Sequence, residues 1–467
     1  MLLTGATGYI GRRLSQRLVQ EDLELRLFVR DPRKVQESIM PRVDIVEGST
    51  FDMESLRRGV EGVDIAYYLI HSVGASEDFE RLDRLSAQNF LDACVLAGVK
   101  RIVYLGGLGR KETASKHLRS RLEVGEILSS KPEKVQTIWF RAAVIIGSGS
   151  ASFEIIRHLV QKLPVLMPPR WVRTLTQPIA IDDVLDYLVS ARRLDVEGNL
   201  VVDIGSGVMS FQDMLKRASE IMELNRFVIP IPVLNPRLSS YWLALITPVP
   251  VRVASRLIEG LKCETLVQND NAQRYFPEVK PVSYVVAVIK AIGEIEENQI
   301  LSRWCDSGAG EVTDTLHEDI ATAVFVEKRE SELGEIKPDE AYDRIVRLGG
   351  QQGWLRFNVL WRMWGVVDKL RGGYGLSRGR RDPDELRIGD TVDFWKVVDL
   401  VEGKRLLLVS QIRFPGTAWL DFTIEEDRVI QTSYFYPNGI LGRVHWLATR
   451  PLHVLVLDSL AEAIVKP

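Results

Sequence analysis

Along residues 1–147, short apolar runs alternate with amphipathic stretches. LRLFV (25–29), VDIVEG (43–48), IAYYLI (65–70), RIVYLGG (101–107) and TIWFRAAVIIG (137–147) are rich in Val, Ile and aromatic residues and lack a helical period, which predicts strands. Between them, RLDRLSAQNFLDACVLAGV (81–99) repeats apolar residues near helical spacing at Leu82, Leu85, Phe90 and Cys94, and Gly98 offers a C-terminal stop. Strand–helix alternation of this kind predicts an α/β Rossmann fold, a doubly wound parallel sheet covered on both faces. NLVVDIG (199–205) predicts one more strand, and SFQDMLKRASEIMEL (210–224) a helix capped by Ser210. These complete a first domain over residues 1–296, with a substrate-side lobe.

The pattern changes beyond residue 296. A new element begins in HEDIATAVFVEKRESELG (317–334), and PDEAYDRIVRLGG (338–350) and WLRFNVLWRMWGVVDKL (354–370) carry helical spacing. TVDFWKVVDLVEG, RLLLVSQIRF, AWLDFTIEED and RVIQTSYFYP then alternate apolar and polar residues between turn residues, which predicts an antiparallel meander. GRVHWLATRPLHVLVLDSLAEAIV (442–465) predicts a long closing helix, kinked at Pro451. The second domain, 297–467, is therefore expected to be α+β. RGGYGLSRGRR (371–381) reads as a solvated connector; an anion or nucleic-acid patch is the minority reading, since the run stands alone and lacks interleaved aromatics.

Composition narrows the classes. A chain of 467 residues exceeds one hydrophobic core, and a hydrophobic share of 46% allows two. The net charge of −3 gives no global pull toward nucleic acid or anionic lipid, so no nucleic-acid partner is expected. Three cysteines, Cys94, Cys263 and Cys305, are too scattered for a disulfide framework, and no metal-ligand spacing is present. The opening MLLTGATGYIG runs from strand to glycine loop without a signal segment, so a reducing cytoplasm is the expected compartment. No apolar run is long enough to span a bilayer. YWLALITPVPVRVAS (241–255), broken by Pro248, Pro250 and Arg252, reads as a buried segment, with contact to a membrane surface as the minority reading.

The sharpest chemical signal lies at the first strand–helix junction. Gly5, Gly8 and Gly11, with Thr7, Tyr9 and Ile10 between them, form G-x-x-G-x-x-G between a strand and a helix. Missing side chains let the backbone approach a pyrophosphate, and the helix N-terminus offers free N–H groups. The second strand ends at Val29–Arg30, where an NAD-binding domain normally places an acid. A cation there suits the extra phosphate of NADP, so NADP is favoured over NAD, although Asp31 follows at once. Arg12 and Arg13 add positive charge.

These residues resemble the atypical short-chain dehydrogenase/reductases, close to the NmrA-like and other NAD(P)-binding members, over roughly residues 1–290. TGATGYIG (4–11) matches their nucleotide loop. STFDMESL (49–56) is similar to their third-strand signature, which implies that Asp52 contacts the adenine amino group and that Met53 flanks the ring. YYLIHSVG (67–74), which holds Leu69, and KRIVYLGGLG (100–109) match their fourth and fifth strands. The tail resembles the helix-grip fold of START-like (SRPBCC) proteins. That resemblance implies an apolar cavity between sheet and long helix, for which Trp395, Trp419, Phe422, Tyr434, His445 and Trp446 are candidate lining residues, with plain core the stronger reading for any single one.

In the typical family a Tyr-x-x-x-Lys pair on one helix moves the proton and holds the coenzyme ribose, aided by a serine after the fifth strand. Here His117 stands at the tyrosine's place, Arg121 at the lysine's, and Leu105-Gly106-Gly107 at the serine's. Histidine can give or take a proton near neutral pH; arginine stays charged but can bind ribose or phosphate oxygens. His117 and Arg121 are thus the candidate catalytic pair, with Arg121 also a coenzyme contact. His71 and Tyr68 are alternative acids. Three functions stay open: an NADP-dependent oxidoreductase acting on a hydrophobic carbonyl or alkene, with the second domain sheltering the apolar ligand; a non-catalytic NADP(H)-binding regulator or assembly factor; and a carrier of a lipid-like ligand.

Overall fold

Seven parallel strands form the first sheet. In chain order they are β1 (Leu2–Thr4), β2 (Leu25–Val29), β3 (Val43–Glu47), β4 (Ile65–Tyr68), β5 (Arg101–Gly107), β6 (Gln136–Ala142) and a seventh strand, Leu200–Ile204. In space the order is seventh strand, β6, β5, β4, β1, β2, β3, so the direction of winding reverses between β1 and β4. That reversal opens a crevice at the strands' C-terminal ends, where α/β sheets bind their ligands. Period-two alternation places Leu3, Leu27, Tyr67, Val103 and Ile138 on one face, against α1 (Tyr9–Gln20) and the helix Ile181–Ser190. Leu2, Phe28, Tyr68, Ile102 and Tyr104 lie on the other, against α2 (Met53–Val60), α3 (Phe79–Ala97) and α4 (Lys116–Leu128). Both faces are covered, which is why these strands read as continuous apolar runs.

In this computed structural model the described residues are 1–21, 23–71, 79–166, 170–228, 263–297, 299–304, 323–371, 373–412 and 414–466, with isolated positions at 247, 249, 255, 259, 260 and 320. Cys305 and most of the 241–255 stretch lie outside them. The chain divides into two units, residues 1–240 with 252–310 and residues 241–251 with 311–467. The first unit thus runs past the expected boundary at 296. The reason is local: Ser302 donates to Tyr9 O at 2.8 Å, and Trp304 N to Gly149 O at 2.9 Å, so this segment belongs to the nucleotide-loop side of the first sheet.

The second unit is built on a six-stranded antiparallel sheet. Its first strand, Phe325–Glu332, pairs with the last, Arg428–Pro437, and the meander between them runs through Gly416–Ile424, Arg405–Ser410, Trp395–Val401 and Thr391–Val392. One face packs against the helices Pro338–Val346 and Asn358–Leu370 and the terminal helix Gly439–Val465. The terminal helix continues through Pro451.

Two expectations fail here. The six aromatic residues do not line one cavity. Trp395 and Phe422 are packed into the helix-facing core, and Trp446 stacks on Phe435 at 4.9 Å with His445 nearby on Phe414. Trp419 and Tyr434 belong to the opposite face. Register decides this: Trp419 and Tyr434 are cross-strand partners, so they share a face and Phe422 takes the other. The Gly/Arg run is not a solvated connector either. Arg378 and Arg381 are buried, Arg381 binds Asp390 at 3.2 Å, and Arg380 donates to Val346 O and Leu348 O.

Asp393 adds a strained, buried carboxylate to this corner. It sits at φ 57° and accepts from Trp354 Nε1 at 2.9 Å and Gly350 N at 3.2 Å. Burial pushes its carboxyl up to about 6 despite those bonds. The folded chain then holds a proton there that the unfolded chain has lost, so stability falls as pH rises from about 4 to about 6 and stays lower above that. Asp393→Asn keeps an acceptor and tolerates the left-handed backbone. Urea unfolding should show it about 1–3 kcal/mol more stable than the parent at pH 7, with the slope between pH 4 and 6 flattened. A variant weaker than the parent at pH 7 would show that the ionised carboxylate stabilises the fold.

Candidate functional site

The glycine loop joins β1 to α1 by close backbone contact. Gly5 has φ 70°, and a Cβ on it would stand 2.6 Å from Leu69 O at the end of β4. A Cβ on Gly11 would stand 2.0 Å from Gly5 O. Gly8 caps α1 without a side-chain hydrogen bond, and its N–H closes the turn on Gly5 O at 3.0 Å. The first turn of α1 therefore presents backbone N–H groups and the positive end of the helix dipole to whatever occupies the crevice, with no acidic side chain in that turn. Tyr9 and Ile10 serve this turn by backbone only. The Tyr9 hydroxyl is buried, which pushes its pKa up, and Ile10 packs against the core. Thr7 contributes its carbonyl, which accepts from Arg12 Nε at 3.1 Å.

Beside the loop, cations outnumber acids. Arg12 is buried, and its Nη2 has no hydrogen-bond partner among the described residues. Arg30 is exposed at the end of β2. Burial lowers the Lys34 ammonium pKa; Asp31 opposes this, while Arg30, Arg33 and Arg12 add to it, which places all of these charges together. Asp31 does not point its charge outward unopposed. Its carboxylate accepts from Arg33 N at 3.1 Å and Nε at 3.0 Å, with Lys34 Nζ at 3.9 Å. Burial works against its ionisation, but Arg33 and Lys34 still hold its pKa below the usual carboxylate range. Arg13 is spent on structure: it binds Ser148 O at 3.0 Å and Ser148 Oγ at 2.9 Å, and lies 3.6 Å from Glu294.

Asp52 is exposed and caps α2, accepting from Glu54 N and Ser55 N at 3.1 Å each, while Met53 is partly buried against the core. A carboxylate has lone pairs beyond those two bonds, so Asp52 keeps capacity for a further donor. A buried guanidinium nitrogen without a partner among the described residues, a helix N-terminus without a capping side chain, and glycines whose added Cβ would strike backbone all fit a dinucleotide phosphate group.

The histidine comes with neighbours that the spacing did not reveal. His117, in the first turn of α4, places Nε2 3.3 Å from Nε2 of His71, just past β4. His71 Nδ1 lies 3.7 Å from Asp83 Oδ2 on α3, and Asp83 also accepts from Ser120 Oγ at 3.0 Å. A carboxylate on that side favours a proton on Nδ1 of His71, leaving its Nε2 to accept from His117. The result is an Asp83–His71–His117 line, two residues beyond the Leu69 carbonyl that Gly5 approaches. Asp83 was missed because the stripe on α3 was drawn through Leu85, which is exposed. The buried seam runs through Phe79, Asp83, Ala87, Phe90 and Cys94. An acid inside an apolar seam was the available signal.

Arg121 engages a different neighbour from His117. It donates to Leu105 O and stands 5.3 Å above the Tyr104 ring, whose hydroxyl donates to Arg121 O at 2.9 Å. Tyr68 drops out as an acid: it is buried, bonded to Ser86 Oγ at 2.7 Å, and burial pushes its pKa far above the working range. Of the two glycines that end β5, Gly106 is hemmed in by aromatic rings, whereas Gly107 meets only the movable end of Leu118. A Cβ at Gly106 would lie 2.5 Å from Trp139 Nε1, and one at Gly107 2.5 Å from Leu118 Cδ1.

Residues 5–138 match a family model described as NAD(P)H-binding, and residues 320–460 match a family of proteins of unknown function, DUF2867. A ceramide reductase of Caulobacter vibrioides is 23% identical over 240 residues, which are 49% of this chain and 73% of that protein. An uncharacterised protein of Sinorhizobium fredii is 24% identical over 106 residues, 22% of this chain and 26% of that protein's length. Among solved structures, the Citrobacter sp. triphenylmethane reductase complexed with NADP(H) superposes with TM-score 0.52 at 18% identity, covering 62% of this chain and 99% of that one. A nucleoside-diphosphate-sugar epimerase of Staphylococcus aureus gives 0.50 at 15% identity, covering 62% and 98%. The structural likenesses establish a Rossmann-like fold for the first unit, and the family match marks its residues 5–138 as NAD(P)H-binding.

Gly11→Ala should abolish coenzyme binding, because its methyl group meets fixed backbone rather than a movable side chain. Calorimetry with NADPH is expected to show affinity lost by more than about 100-fold, the scale of a bulky clash at a phosphate cradle. Unchanged affinity would mean that the nucleotide sits elsewhere.

Proposed function

We propose that the chain is an NADP-dependent oxidoreductase acting on a hydrophobic carbonyl or alkene, with His117 as the proton-transfer group. The observation that carries this reading is the His71–His117 contact of 3.3 Å, backed by Asp83, at the mouth of the dinucleotide crevice. A bound nicotinamide coenzyme supplies the hydride. The chain's own residues manage the proton. One extra proton held by the imidazole pair can be shared across Nε2–Nε2, with the Asp83 carboxylate balancing its charge. His117 gives that proton to the substrate oxygen or carbon, and His71 is placed to replace it. Arg121, held on Leu105 O, supplies a fixed positive charge beside the same helix face.

Preference for NADP over NAD is supported by the charge balance at the end of β2. Arg12, Arg30 and Lys34 lie within electrostatic reach of one another at that end, and Asp31 is already engaged by Arg33. For the substrate, support comes from the ceramide reductase relative, whose name points to an amphiphilic lipid. In the second unit the helix-facing side of the sheet is filled by Trp354, Trp361, Phe394 and Phe422 among the described residues, so the reading gives that unit presentation of substrate rather than enclosure. One observation favours a non-catalytic NADP(H)-binding regulator instead: the oxyanion-stabilising serine has no counterpart at Gly107, where Leu118 fills the space.

Calorimetry is expected to show NADPH binding about 10–100-fold tighter than NADH, the worth of one or two charge-assisted hydrogen bonds, and Arg30→Glu should erase that preference. In assays with hydrophobic aldehydes, ketones and enones, His117→Ala should lower kcat by about 10²–10⁴-fold while leaving NADPH affinity within about twofold of the parent. Full turnover in that variant would remove His117 from the chemistry. Tight NADPH binding with no turnover by the parent protein across the panel would favour the regulator.

A further inference from the structure

The second unit turns apolar residues outward on two neighbouring helices. On the helix Asn358–Leu370, Val359, Met363, Val366, Val367 and Leu370 fall on one face and are exposed, Val359 by 69% and Leu370 by 63%. On the terminal helix, Ile440, Leu441, Val444 and Leu447 do the same, Ile440 by 81% and Leu441 by 74%. The opposite faces, through Trp361 and through Trp446, Leu457 and Leu460, are buried. Helices with apolar residues all round normally have partners on every side.

The two helices meet at points along their lengths. Trp364 meets His453 at 5.3 Å and Arg356 reaches Glu462 at 3.9 Å, so the helices run in opposite directions past each other. Both exposed faces point away from the core they share. Each gathers more exposed apolar residues on one side than scattered exposure gives. Their frame is cationic. Arg362, Arg371 and Arg443 are exposed at their edges, and Arg450 is paired with Glu327. Between 439 and 457 the terminal helix has no acid, and the acid of the other helix, Asp368, is buried.

The geometry points to a docking surface for an anionic lipid bilayer, on which the paired helices lie flat with their apolar faces in the acyl boundary and their arginines at the headgroups. None of the described helices is long and apolar enough to cross a membrane, so the mode is surface attachment. A second copy of the chain fits less well. A two-fold contact would set this face against itself and bring the same arginines together without a carboxylate between them.

The test is co-sedimentation of the full chain with vesicles of phosphatidylcholine alone and of equal parts phosphatidylcholine and phosphatidylglycerol. The chain should partition onto the anionic vesicles, and added salt should weaken the binding. Leu447→Asp or Val366→Asp should each weaken it by about tenfold, and Arg362→Glu with Arg443→Glu should weaken it on anionic vesicles alone. All these residues are exposed, and a thermal midpoint equal to the parent's confirms that each variant is folded. Absence of partition, partition untouched by either class of variant, or a dimer in solution that Leu447→Asp dissolves while vesicles capture nothing, would each overturn the assignment.

Discussion

The first unit depends on one close approach: α1 rests against its own preceding loop because residue 11 has no side chain. With 2.0 Å between the place of a Cβ and Gly5 O, the contact is backbone on backbone and cannot relax by a rotamer change. The same approach carries through Gly5 to the Leu69 carbonyl, and so to the end of β4. Strand, loop, helix and crevice are fixed by glycines at two points, and both the charge cluster and the histidine pair are placed relative to them.

Around this frame the electrostatics divide into two regions. At the end of β2, several cations share one carboxylate, and a buried guanidinium nitrogen lacks a partner among the described residues, an arrangement that favours an anion arriving from outside. At the end of β4, a buried carboxylate backs two imidazoles, which suits a group that changes charge during its work. The charge cluster and the histidine line thus lie at the ends of the two strands that flank β1, on either side of the winding reversal. The loss of the serine position has a steric side as well: the space at Gly107 belongs to Leu118, one residue after His117.

In the second unit, one set of helices uses both of its sides. The inward side fills the space against the sheet with Trp354, Trp361 and Phe394, and the outward side keeps Val, Leu and Ile exposed. The aromatic residues expected around one cavity are divided between the two faces of the sheet and the terminal helix.

Period and punctuation alone settled a good deal. Strands 25–29 and 101–107 stand at their expected bounds, the Ser210 cap forms a full box with Asp213, and Gly98 ends α3 at φ 71°. These features depend on near neighbours in the chain: alternation, a capping hydroxyl, a residue free to take a positive φ. The glycine loop was legible for the same reason. Tertiary structure decided what depends on residues far apart. His71, Asp83 and His117 come from three elements, and Asp31 is neutral in effect through Arg33 and Lys34. Trp419 and Tyr434 were separated from Trp395 by strand register, and Arg378 and Arg381 were drawn inside by acceptors elsewhere in the chain. A side chain's period reports which face of its own element it occupies; which groups meet it there is fixed only when the elements pack.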